Sequence, residues 1–259
     1  MSGSPILIVN ADDFGRSPGI NAGIIRAHLD GIVSSTTLIV NTPWTGAAVI
    51  AARAVPTLGI GLHLNFCYGA PLSAPELVRS LVNTDGHLKT DTRELARVAT
   101  ADDIRTETTA QIERFRVALG RDPTHLDSHK HLHSTASFAP VVASVAAAAG
   151  LPVRATSAED RDVFRSAGAA TPDAFEGRFH GLDGEGVEVA LLVQIICELQ
   201  DGVTELMCHP GVVDEHILDS SYSSDREREL AALCSAEVRQ AIDRRGITLA
   251  TFDAVGRSR

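Results

Sequence analysis

Ile6-Leu7-Ile8-Val9-Asn10-Ala11-Asp12-Asp13-Phe14-Gly15 is the stretch whose reading decides the fold. Ile6 to Val9 is a continuous run of branched apolar residues with polar residues on both sides, the pattern of a strand buried on both faces in a parallel sheet. It leads into two adjacent carboxylates. Gly15 and Pro18 then break the chain, and Ser17-Pro18 can open a helix with Ser17 as cap and Pro18 in the first turn. Asp12 and Asp13 thus fall where a strand gives way to a βα loop, the place where α/β proteins build their sites. One such Asp often just satisfies loop amides. Two side by side repel unless a cation or a shared proton relieves them.

Working outward, strands and helices alternate. Helical spacing runs from Gly19 to Leu29. Residues 32–40 read as a second strand, 45–55 as a helix, and 58–64 as a third strand carrying His63 and leading into Asn65. Residues 66–100 are irregular, a long insertion suited to forming part of a substrate pocket. Thr100 opens an amphipathic helix that ends at Gly120. A short strand ends near Asp127, a helix covers 139–149, and 151–154 reads as a strand with Arg154 at its end. Residues 156–184 give no clear pattern. A helix over 187–199, a strand over 203–208 ending in His209-Pro210-Gly211, a long helix over 225–245 and a last strand over 247–252 complete the chain. Strict alternation argues for a parallel sheet or barrel, and 259 residues fit one large α/β domain spanning 1–259.

Polar, ligand-capable residues cluster at the C-terminal ends of these strands: Asp12 and Asp13, His63, Asp127 and His129, Arg154, His209. A (β/α) barrel would bring all these ends to one mouth. Asp13, His63 and His129 would make a set of one carboxylate and two imidazoles that leaves positions open for water and substrate, as in a catalytic metal site. In the His129-Lys130-His131-Leu132-His133 run an extended backbone could not send all three rings to one ion. One ring is expected to bind, with the others orienting ligands or touching substrate; a surface cluster with accidental metal affinity is the plainer alternative. His209 reads either as a hydrogen-bonded core histidine or as a functional one. Arg154 could bind an anion, clamp a carboxylate or form a simple salt bridge. Asn65 joins Asp127, His131, His133 and Arg154 as residues expected to touch substrate or support ligands.

Composition narrows the function. The net charge of −10 and the lack of a basic patch argue against nucleic acid. No apolar run is long enough to span a membrane, and the N-terminus enters a strand without a signal peptide. Cys67, Cys197, Cys208 and Cys234 are scattered and form no CxxC pair, which suggests reduced thiols and a cytoplasmic protein. A homodimer is compatible with the sequence.

IVNADDFG at 8–15, the stretch from Gly23 to Asn41, GLHLN at 61–65, THLDSHKHLH at 124–133 and CHPG at 208–211 together resemble the YdjC-like carbohydrate deacetylases, which include chitooligosaccharide and hopanoid-biosynthesis deacetylases. The resemblance implies an irregular, TIM-like (β/α) barrel that removes acetyl groups from N-acetylated sugars. It implies one divalent metal at Asp13, His63 and His129, with Asp12 as catalytic base. By resemblance the metal is magnesium; by ligand type the set suits Zn, Co, Ni or Mn, whereas Mg prefers more oxygen ligands. His209 is the candidate acid that protonates the leaving amine. Phe66-Cys67-Tyr68 departs from the Leu-Thr that many relatives carry after GLHLN, which bears on substrate identity. Two alternatives stand beside this reading: another metal-dependent barrel hydrolase acting on phosphoesters or cyclic amides, and a non-catalytic sugar- or metal-binding barrel.

Overall fold

The computed structural model describes residues 4–180, 187–218 and 222–256. Its centre is a seven-stranded parallel sheet. The strands are β1 (Ile6–Phe14), β2 (Ser35–Leu38), β3 (Gly59–Leu64), β4 (Leu126–Ser128), β5 (Ala174–Glu176), β6 (Val203–Cys208) and β7 (Thr248–Leu249). They run in the order β4-β3-β2-β1-β6-β5, with β7 added against the start of β1. β1 is central, and everything in it beyond Ile6 is buried, as its unbroken apolar run requires.

The result is an α/β fold with a parallel-strand half-barrel. A full eight-stranded barrel, the stricter form of the expectation, is not what the ladder shows. Between β4 and β5 the described residues supply a single bridge, Leu126 to Val153, and one hydrogen bond from the Val153 N–H to the Ala170 carbonyl (2.8 Å). The expected strand at 151–154 is reduced to that bridge.

Nine α-helices among the described residues cover the sheet: α1 (Pro18–Leu29), α2 (Thr45–Ala54), α3 (Thr92–Val98), α4 (Ala101–Leu119), α5 (Ala139–Ala149), α6 (Ala158–Ser166), α7 (Val189–Glu198), α8 (Ser223–Leu233) and α9 (Ala236–Arg245). Local chemistry sets their ends. The Ser17 hydroxyl accepts from the Ile20 N–H with Pro18 in the first turn. Thr100 caps α4 through the Asp103 N–H, and Gly120, at φ 71°, ends it. The expected single helix over 225–245 is two helices, because Ser235 accepts from the Glu237 N–H and starts a new one. The unread stretch 156–184 contains α6 and β5, with residues 181–184 outside the described residues.

The insertion after β3 is tied to α4. Buried Glu107 accepts from the Leu72 and Ser73 amides, and Gln111 exchanges two hydrogen bonds with the Asn65 backbone. No helix among the described residues is long and apolar enough to cross a membrane.

Candidate active site

At the C-terminal end of the sheet lies a cavity of about 300 Å³ lined by Asp12, Asp13, Arg16, His63, His129, Lys130, His131, His180, Met207, His209, Tyr222 and Arg226. Neighbours on a regular strand point to opposite faces, yet Asp12 and Asp13 line one cavity. The cause is local: the β1–β2 register slips between Ala11 and Phe14, and Asp13 adopts φ 72°. A bulge of this kind re-aims a side chain, and Asp tolerates the left-handed region better than most residues.

Asp13 Oδ1 lies 3.5 Å from His63 Nε2 and 3.0 Å from His129 Nδ1. It is buried and makes no hydrogen bond of good geometry, while Oδ2 accepts from Arg226. On the far side of the His63 ring, Nδ1 lies 2.8 Å from Asp127 Oδ1, which favours a proton there and leaves Nε2 to face Asp13. Two ligands at about 2.0–2.1 Å on a tetrahedral ion stand roughly 3.3–3.5 Å apart, and the two observed separations are close to that edge. An orphaned buried oxygen facing two imidazole nitrogens fits a divalent cation. The electrostatics agree. Burial disfavours a charged His63, but Asp127, with Asp13 and Asp12, overrides it and lifts its pKa to about 10. The surrounding carboxylates demand positive charge at this point. Burial alone would raise the Asp13 pKa, yet His129 and Arg226 outweigh it and keep the carboxyl well below its usual range.

Asp12 has different company. Arg154, fully buried, donates to both of its oxygens at 2.7 and 2.6 Å, and Asn10 Nδ2 adds a third hydrogen bond at 2.9 Å. Against the effect of burial, this clamp holds Asp12 below the ordinary carboxylate range. The same guanidinium reaches Asp127 at 3.1 Å and Glu205 at 2.8 Å. Of the three readings for Arg154, clamping a carboxylate is the one observed. Burial pushes Glu205 up to about 7 even with Arg154 beside it. His209 Nε2 stands 3.9 Å from Asp12 Oδ2. Its backbone N–H donates to Glu229, which also accepts from the Tyr222 hydroxyl.

The histidine run is not extended. Residues His129–Ser134 form a 3-10 turn, with Lys130 and His131 at φ 56° and 52°. This turn sends His131 into the cavity wall, edge-on to Phe175. It sends His133 away: that ring is buried against Ser128 Oγ and the Arg154 carbonyl. His133 therefore touches the backbone of the clamp and does not line the cavity. Asn65 does not line it either; its side chain ties Asn41 to the Tyr68 carbonyl and shapes the loop beyond β3. Lys130, set aside in the sequence as too basic to serve as the acid, lines the cavity, while Arg16, His180, Tyr222, Arg226 and Glu229 carry no signal in the sequence. Arg226 and Glu229 sit in Ser-Asp-Arg-Glu-Arg-Glu-Leu, which reads as a solvated helix face but buries both.

The sequence profile of the family described as YdjC-like protein matches residues 6–244. A carbohydrate deacetylase of Brevibacillus brevis is 39% identical, with 96% of this chain and 99% of that protein aligned. A chitooligosaccharide deacetylase of Serratia marcescens is also 39% identical, over 95% and 98%. The crystal structure of a candidate cellobiose-phosphate cleavage protein from Enterococcus faecalis superposes with a TM-score of 0.89 at 33% identity, covering 98% of this chain and 99% of that one. A family 4 acetyl xylan esterase from Clostridium thermocellum, in complex with cobalt, shares the fold at a TM-score of 0.51 and 12% identity, over 96% and 88%.

Proposed function

We propose that this chain, which belongs to the YdjC-like family over residues 6–244, is a metal-dependent deacetylase of N-acetylated sugars, acting as one domain over 1–259. The observation that carries the reading is the convergence of Asp13, His63 and His129 in the same cavity as Asp12 and His209. The names of the relatives from Brevibacillus brevis and Serratia marcescens support it.

In the proposed mechanism, a divalent ion held by Asp13, His63 and His129 would polarise the acetyl carbonyl and acidify a water. The remaining work belongs to the chain. Asp12 removes the proton of the attacking water. Arg154 and Asn10 keep its carboxylate ionised and fixed in direction, so it enters the reaction in the basic form. Asp127 holds the His63 tautomer and ring. His209 delivers a proton to the departing nitrogen, since an amine leaves poorly unprotonated. His209 Nε2 stands 3.9 Å from Asp12 Oδ2, so both groups face the same part of the cavity. A non-catalytic binding barrel would need neither group.

The donor set suits Zn, Co, Ni or Mn, and family resemblance points to Mg; reconstitution with each decides. Four free cysteines accord with a cytoplasmic location, and a homodimer remains part of the proposal, checked by sedimentation. The test of function is acetate release from N-acetylglucosamine oligomers, before and after chelation and with metal restored. Release that persists in the chelated protein would overturn metal dependence, and no release from any N-acetylated sugar would overturn the deacetylase reading.

A further inference from the structure

A second set of donors stands beside the first. His180, His209 and Glu229 each offer one ligand atom, and the three atoms lie within 4.8 Å of one another. Two features of the set are otherwise unexplained. His180 Nδ1 and His209 Nδ1 are both buried atoms with no hydrogen-bond partner, and an orphaned buried donor or acceptor costs stability. His209 Nδ1 also stands 3.7 Å from Glu229 Oε1, too long for a hydrogen bond and close to the spacing of two ligands on one ion. The rings of His180 and His209 are 4.8 Å apart and tilted by 55°, so they do not stack face to face.

We propose that His180, His209 and Glu229 form a second site for a transition-metal cation, and that its occupancy inhibits the enzyme. Two imidazoles and one carboxylate suit zinc, cobalt or nickel better than magnesium. Three protein ligands are enough to hold such an ion with a position left for water. His180 offers a free lone pair, since burial first, then His209 and Arg226, keep it below the ordinary histidine range. Both oxygens of Glu229 already accept hydrogen bonds, from the His209 N–H and the Tyr222 hydroxyl, whereas Asp13 Oδ1 accepts none, so this site is the weaker of the two. The inhibitory half of the proposal rests on the acid role given to His209: with Nδ1 bound to a cation the ring cannot become imidazolium, and its remaining Nε2–H is far too weak an acid to protonate the leaving amine.

The test is a titration of metal-free protein with Zn(II), read by calorimetry, and with Co(II), read by visible absorption. Wild type should take up two equivalents, the second more weakly. His180→Ala and His180→Asn, two variants of a half-buried loop residue, should each take up one. Asp13→Asn should lose the tighter class and keep the weaker. Acetate release should fall by about a hundredfold to ten-thousandfold as the second equivalent binds, the usual worth of a general acid. The His180 variants should hold their own rate over the same zinc range. One equivalent in wild type, or two in both His180 variants, would overturn the second site. Two equivalents in a protein that deacetylates nothing would uphold the site and sink the functional reading instead.

Discussion

Gly23→Ala should damage catalysis more than stability, although Gly23 is in a helix and touches no substrate group. A Cβ built on Gly23 would lie 2.8 Å from both the N and the C of Gly211, and nearer still to its Cα. Ordinary carbon contacts are about 3.5–4.0 Å, so α1 and the loop after β6 must separate by roughly 1 Å. That loop is held to α1 by the Val212 N–H on the Gly19 carbonyl (3.0 Å) and the Gly19 N–H on Asp214 (2.6 Å), and Gly211 is two residues beyond His209. For stability, alanine gains about 1 kcal/mol of helix propensity, while overpacking costs about 1–3 kcal/mol. The net loss is about 0–2 kcal/mol. For the reaction, a displacement of about 1 Å can cost about a hundredfold in rate, and it falls on the proposed acid. Asp13, His63 and His129 come from β1, β3 and the turn after β4, so the metal should stay. The assay is kcat for acetate release, with metal content and Tm measured on the same sample. Gly46→Ala is the control: its Cβ would meet nothing within 4 Å, so it should leave kcat alone. A Gly23→Ala enzyme with wild-type kcat, or one that loses its metal, would refute the reasoning.

Three further outcomes follow from the site. Asp13→Asn should lose metal, whereas Asp12→Asn should keep it and lose turnover; equal metal loss in both variants would make the two carboxylates joint ligands. His209→Ala should lower kcat by about a hundredfold to ten-thousandfold with metal bound, and less for an O-acetyl substrate, whose alcohol leaves more easily; equal losses on N- and O-acetyl substrates would remove His209 from the acid role. Glu205 has a folded pKa raised from 4.5 to about 7, so its stabilising contribution is complete below pH 4.5 and is lost as pH rises through 7. Stability of wild type relative to Glu205→Gln, from urea midpoints, should therefore fall between pH 5 and pH 8, and a flat difference would contradict the burial argument.

Much of the frame was legible in the sequence because it rests on local signals. The apolar run at 6–9, the Ser17-Pro18 and Thr100 caps and the glycine at 120 each carry their own physics, and the elements they mark are where expected. The metal-ligand candidates were legible because they follow strands. What was not legible depends on tertiary context. Nothing in Arg226 or Glu229 distinguishes them from exposed charges on a helix; only the packing of α8 against the cavity does. The 3-10 turn at 129–134 needs two non-glycine residues with positive φ, a choice that no residue pattern there announces. Arg154 was visible as a strand-end residue, but its three carboxylate partners lie 142, 27 and 51 positions away along the chain.

The two adjacent aspartates show why that hidden context matters for chemistry. Both are buried, both are held below the ordinary carboxylate range, and apart from the family resemblance nothing in the sequence tells them apart. The register slip at Ala11–Phe14 separates them. Asp12 spends both oxygens on a fixed guanidinium, so it has little freedom to follow a cation and every reason to stay anionic and aimed. Asp13 spends one oxygen on Arg226 and leaves the other facing two imidazoles without a hydrogen bond. This contrast supports the proposed division, with Asp13, its free oxygen beside two imidazoles, as ligand and Asp12, locked by the guanidinium, as base. Exchanging the roles would require Arg154 to release Asp12, leaving a buried carboxylate without its guanidinium partner. Breaking a buried pair of this kind costs about 3–5 kcal/mol, more than rearrangement of one ligand could return.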